Sequence, residues 1–126
     1  LKPGLEHDLI RVVTRDLCVS QITGLPPILA TAEMIRMMEW AAYLVLQPFY
    51  EPGEASVGSA VNVRHLAAAP LGARVRALAR LTGVEDRRFF FDVSAFDEKD
   101  LLGQGTHERF VIDLERYRKR LEAKVA

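Results

Sequence analysis

Two side chains in this sequence sit among neighbours that do not suit them. Glu39 lies inside Met37-Met38-Glu39-Trp40-Ala41-Ala42. A carboxylate there either reaches solvent from a helix edge or is buried, and a buried one must be paired, hydrogen-bonded or neutralised. His65 ends the strand-like run Val61-Asn62-Val63-Arg64-His65. A lone strand histidine is more often a satisfied structural residue than a catalyst. A glutamate and a histidine brought together, however, form an acid–base pair. These two are far apart in the chain, so spacing alone does not join them. Gly58, before Ser59-Ala60, reads as the end of a turn or as a strand glycine that permits a bulge or a close backbone approach.

The remaining polar groups carry weaker signals. His107, Glu108 and Arg109 follow one another on a strand, and alternation sends His107 and Arg109 to one face and Glu108 to the other. Alone they read as a structural hydrogen-bond cluster. Arg64, Arg74, Arg76, Arg80, Arg87 and Arg88 read as a solvated sheet face and turn, with one or two suited to a phosphate. Cys18 has no neighbour that would activate a thiol. His7, His65 and His107 show no metal-ligand spacing, and CxxC and HExxH are absent, so neither a metal nor another cofactor is expected. Gly103 and Gly105 lack the third glycine and the helix of a dinucleotide fingerprint.

Positioning such groups requires regular elements, and the apolar pattern supplies them. Residues 5–13 read as a first strand. Residues 14–27 read as a long loop with one helical turn, the kind of segment that covers sites. The strongest helix spans residues 32–47: Thr31 is a good N-cap type, Glu33 suits the first turn and Pro48 stops it. Ile35, Met38, Ala42 and Val45 form a helical stripe, and Met34, Met37, Ala41 and Leu44 extend it most of the way round. A helix apolar on nearly all sides is usually buried on nearly all sides. After the turn at Glu51-Pro52-Gly53-Glu54 come strands over residues 57–66, 73–81, 88–96 and 101–112, with turns over 83–87 and 97–100. Residues 113–124 form a charged amphipathic helix with Asp113 as N-cap. Hairpin-length connections make the strands antiparallel. The fold class is α+β, with an antiparallel sheet wrapped around one long helix in the hot-dog arrangement.

Composition narrows the function classes. The 126 residues suit a single domain over residues 1–126 with a sizeable core. Lys plus Arg and Asp plus Glu are 17 each, which gives no charge footprint for nucleic acid and no polybasic membrane anchor. No apolar run reaches the ~18 residues of a membrane span, and the first residues lack a signal-peptide core. A cytoplasmic protein is expected, and the single cysteine fits a reducing compartment.

In Ala30-Thr31, Met38-Glu39-Trp40-Ala41, Glu51-Pro52-Gly53-Glu54, Ser56-Val57-Gly58, Val63-Arg64-His65, residues 67–72 and Gly105-Thr106-His107-Glu108-Arg109, the chain resembles the fluoroacetyl-CoA thioesterase family of hot-dog proteins. The resemblance covers about residues 25–112. It implies thioester hydrolysis on an acyl-CoA. Its catalytic positions match Thr31, Glu39 and His65, and a backbone N–H position matches Gly58. Glu39 would attack the acyl carbon or activate water, and His65 would serve in proton transfer. Thr31 would hold the pair by hydrogen bonds, although an N-cap role explains it too. The Gly58 N–H would polarise the carbonyl. Arg109 is carried over as a substrate contact. At the family's aromatic lid position this chain has Leu25, which implies a short-chain acyl-CoA enzyme without strong selectivity for fluoroacetyl. A non-catalytic acyl-CoA-binding module and a hot-dog hydratase or dehydratase are the alternatives, and neither would release free thiol. If Thr31 and Glu39 are both helical they lie ~12 Å apart along the axis. Thr31 must then curl back or serve a partner's site. A homodimer, with further pairing into a tetramer, is expected, because a sheet of few strands does not cover a helix apolar nearly all round and the resemblance implies sheets paired edge to edge with sites at the seam.

Overall fold

The computed structural model describes residues 1–125. Strand β1 (Glu6–Val12) is followed by a 3-10 turn at Arg15–Leu17, helix α1 (Thr31–Leu46) and a second 3-10 turn at Gln47–Phe49. Strands β2 (Glu54–His65), β3 (Arg74–Glu85), β4 (Arg88–Phe96) and β5 (Leu101–Asp113) come next, and helix α2 (Leu114–Val125) closes the order. The five strands form one antiparallel sheet in the order β1-β3-β4-β5-β2. Tight turns make β3, β4 and β5 neighbours, whereas β1 and β2 occupy the two edges.

The sheet holds α1 on its inner face, chiefly over β3. Met34, Met37, Met38, Ala41, Ala42, Val45 and Leu46 are buried against a core that includes Val75, Ala77, Ala79, Leu81, Phe91, Val93 and Ala95. Alanines on both surfaces let the helix approach closely, and the long methionines fill the remaining gaps. The methionine cluster is core, as its spacing implies. The arginines of the sheet and turn are exposed, as expected. Asp113 caps α2, its Oδ1 accepting from the Arg116 N–H at 3.0 Å. None of the described helices is long and apolar enough to cross a membrane.

Three expectations need correction. First, α1 is not buried on nearly all sides: Arg36 is exposed and Trp40 is 53% exposed, stacked on Tyr43 at 4.9 Å. The apolar stripe is wider than the face that one sheet covers. Second, the turn expected over residues 83–87 is confined to Asp86-Arg87. A bulge between Leu81 and Gly83 leaves Thr82 as the extra residue, Gly83 pairs with Phe90, β3 runs on to Glu85, and Asp86 at φ 56° supplies the tight turn. Third, Thr31 is the first helical residue. Ala30 takes the N-cap position, and no side chain caps the helix there.

The β2 edge decides which side chains share the inner face with α1. A bulge lies between Gly58 and Ala60, with Ser59 as the extra residue. It keeps Gly58 on the inner face that His65, Val63 and Val61 share. An unbroken strand would turn Gly58 outward, since an odd number of positions separates it from His65. On the outer face Ser59 Oγ donates to the Glu108 carboxylate at 2.6 Å. Gly105 lets β2 lie tight on β5, since a Cβ there would stand 2.0 Å from the Asn62 carbonyl oxygen. The other side of β2 pairs with no described strand, and residues 59–62 are exposed.

Candidate active site

The six residues singled out for chemistry fall into two groups and an outlier. Thr31 and His65 meet at one end of β2, with Thr31 Oγ1 at 2.7 Å from His65 Nδ1. The backbone explains the meeting. The Leu29 N–H donates to Ala69 and the Ala30 N–H to Leu17, fixing the approach to the helix. The Leu66 N–H donates to Leu102 and fixes the end of β2. His65 Nε2 is shielded from solvent and has no partner among the described residues. A buried N–H without an acceptor is rarer than a bare acceptor. That favours the tautomer in which Nδ1–H donates to Thr31 and leaves the Thr31 proton free to point outward. An N-cap role for Thr31 is thereby replaced by a hydrogen bond to the histidine.

Glu39, Gly58 and Arg109 meet at the other end. A Cβ on Gly58 would stand 2.7 Å from Glu39 Oε2 and 3.2 Å from His107 Cε1, so only a glycine lets the carboxylate lie over this backbone. Arg109 Nη1 is 3.8 Å from Glu39 Oε2, a charge contact too long for a hydrogen bond. Glu39 is not a fully buried carboxylate. Its side chain is 39% exposed at the helix edge, facing a cavity of about 500 Å³ lined by Trp40, Tyr43, Arg36 and Leu9. Arg109 is buried, with Nε donating to Ser56 Oγ and Nη2 to the Ser56 carbonyl, each at 2.8 Å. Its guanidinium also lies over the Tyr43 ring, 5.8 Å from the centroid. Tyr50 bonds the same Ser56 hydroxyl, and burial pushes its phenol up.

Within one chain the two groups do not join. Gly58 and His65 are about 20 Å apart along β2, and Thr31 and Glu39 are ~12 Å apart along α1. Leu25 lies in the loop before α1 and is exposed, its N–H donating to the Ile22 carbonyl. In sequence His107 reads as structural, Ser56 enters only as part of the Ser56-Val57-Gly58 motif with no role of its own, and Tyr50 and Tyr43 give no signal, because their importance depends on where Arg109 points. Cys18 is free and buried.

The model of the fluoroacetyl-CoA-specific thioesterase family matches residues 13–115. The chain belongs to that family. A curated member of it, the fluoroacetyl-CoA thioesterase of Streptantibioticus cattleyicolor, is 46% identical over 99 residues, covering 79% of this chain and 71% of the relative. A solved fluoroacetyl-CoA thioesterase superposes with a TM-score of 0.93 at 38% identity, covering 98% of this chain and 97% of that one. A threonine-to-serine variant in complex with acetyl-CoA gives 0.91 at 36%, with both chains fully covered. A hot-dog-like protein from Thermanaerovibrio acidaminovorans gives 0.92 at 25%, covering 98% of this chain and 93% of that one. The sheet around α1 is the hot-dog fold.

Proposed function

We propose that this acyl-CoA thioesterase hydrolyses short-chain acyl-CoA at seams between two copies of the chain. Each seam takes Glu39 and Gly58 from one copy and Thr31 and His65 from the other. The observation that carries this is the division of the site along an unpaired strand edge. Antiparallel pairing of β2 with its counterpart, centred on Asn62 and with the extra residue Ser59 bulged out of the ladder, puts Gly58 opposite His65 twice. A two-fold axis normal to the sheet keeps both on the inner face, where the exposed Trp40 side of α1 then meets its equivalent. A cytoplasmic setting, where acyl-CoA is present, fits the lone thiol of Cys18.

At such a seam the Gly58 N–H donates to the thioester carbonyl as negative charge gathers on its oxygen. Glu39 either attacks the acyl carbon, giving an anhydride that water opens, or takes a proton from water that attacks directly. In both routes the C–S bond breaks, water supplies the new C–O bond, and the sulfur leaves as a thiol after taking a proton through His65 and Thr31. Arg109 keeps a positive charge beside Glu39 and faces the acyl end of the cavity.

Mixing two inactive variants tests the seam. Glu39→Gln and His65→Ala, each a dead homodimer, are unfolded together and refolded as a mixture. Half of the resulting dimers are hybrids with one intact seam each, so thiol release returns to about a quarter of wild type. No recovery in verified hybrid dimers would place Glu39 and His65 in the same copy and overturn the shared site.

A further inference from the structure

We propose that His107 is a positioning residue that joins the Gly58 bulge to the guanidinium facing Glu39, and that it does so only as a neutral imidazole protonated on Nδ1. The inference rests on Glu39 and Gly58 being the active site. His107 lies on the inner face of β5, buried, with Nδ1 2.9 Å from the Ala60 carbonyl oxygen. A carbonyl only accepts, so Nδ1 carries the proton. Its Nε2 is 3.1 Å from Arg109 Nη1, and a guanidinium only donates, so Nε2 must be the bare acceptor. Both ring nitrogens are therefore assigned by their partners.

The geometry gives the ring a task. Ala60 is the residue at which β2 regains register after the bulge, so the His107 N–H holds the bulge from inside while Ser59 and Glu108 hold it from outside. The other nitrogen steers the guanidinium, which Ser56 holds through Nε and Nη2. One ring thus sets the distance between the Gly58 backbone and the charge beside Glu39. Protonation would remove the acceptor and set an imidazolium against Arg109. The groups facing the ring are Glu39 from α1, Arg109 from β5, the Ala60 carbonyl from β2 and the Phe91 ring from β4, 6.2 Å away, while the Glu108 charge acts on it only from the opposite face of β5. Burial holds the ring's proton affinity below that of a free imidazole, with the Arg109 charge adding to this against the Ala60 bond. A base with a depressed folded pKa binds its proton more readily when unfolded, so stability should fall as pH drops below about 6.5 and through the folded value.

The test combines spectroscopy on the wild type with two variants. Imidazole 15N spectra should show His107 neutral at pH 6 with the proton on Nδ1; an Nε2–H tautomer or an imidazolium there would overturn the proposal. His107→Phe keeps the ring and loses both bonds. It should lower kcat about 10²-fold, the scale of a 1 Å misplacement, with KM little changed. His107→Gln keeps a donor and an acceptor and should recover most of that loss while flattening the acid fall in stability. A folded His107→Phe with wild-type kcat sinks the proposal, and if neither variant folds the spectra decide it. Glu39→Gln assayed alongside separates the two readings. Its inactivity beside a fully active His107→Phe refutes only the role of His107, whereas its full activity refutes the site itself.

Discussion

The two ends of β2 are built differently. At the glutamate end, Arg109, Ser56, Tyr50 and His107 form a hydrogen-bonded network in which each of these side chains has a partner, and the carboxylate stands on top of it. At the histidine end one hydrogen bond links an exposed threonine to a ring whose other nitrogen has none among the described residues. On the proposed mechanism, the chain therefore pre-organises the charge by itself and leaves the group assigned to proton transfer incomplete. Electrostatic groups gain most from rigid surroundings, because reorientation during the reaction costs energy. A proton carrier has to meet the substrate, and in the proposed mechanism the exposed Thr31 hydroxyl is the group placed to do so.

Substitutions at each end test this contrast. The largest loss should come from Glu39→Gln, which keeps the shape and removes the charge: kcat for thiol release should fall about 10²–10⁴-fold with KM nearly unchanged. A folded variant with near-normal kcat would break the contrast at its stronger end. Gly58→Ala should come next. The added methyl meets Glu39 Oε2, the far end of a flexible side chain, so the carboxylate yields rather than the fold. Expect kcat to drop about tenfold to a hundredfold with a melting shift of only a few degrees; unfolding instead would show that the backbone, not the carboxylate, is tight there. The smallest effect concerns the lid. With Leu25 in place of an aromatic ring, kcat/KM should differ among acetyl-, propionyl- and butyryl-CoA by about 1–3 kcal/mol per methylene, with fluoroacetyl-CoA no more favoured. A fluoroacetyl preference of many thousandfold would show that Leu25 does not set selectivity.

The parts of this architecture legible in the sequence are those set by local pattern. The Met37-Met38 stripe marks α1, and β4 falls on residues 88–96 as its aromatic run implies. At Gly58 a bulge is one of the two readings that the sequence allows, and the structure has the bulge. At Gly83 the sequence misleads, because a glycine that ends a strand and one that follows a bulge within it carry the same local signal. The exposed side of α1 misleads for another reason: its apolar residues run wider than the face that one sheet covers, and the proposed seam is what would cover Trp40. The hydrogen bond between Thr31 and His65 is invisible in sequence, since the carbonyls of residues 17, 69 and 102 fix its surroundings through backbone bonds that do not depend on side-chain type. The role of His107 is hidden because its partner is a carbonyl beside the bulge.

An unpaired β2 edge also has a cost outside catalysis. A long strand with Val61 in the open and no proline, bulky charge or covering loop at its centre is a template for any other extended chain. The bulge at Ser59 is the local feature that spoils this template, and in the proposed seam a second copy would cover the rest of the edge. Solubility and turnover would then be governed by the same concentration-dependent step, and mutations that loosen the pairing would surface first as aggregation during synthesis rather than as a slow enzyme.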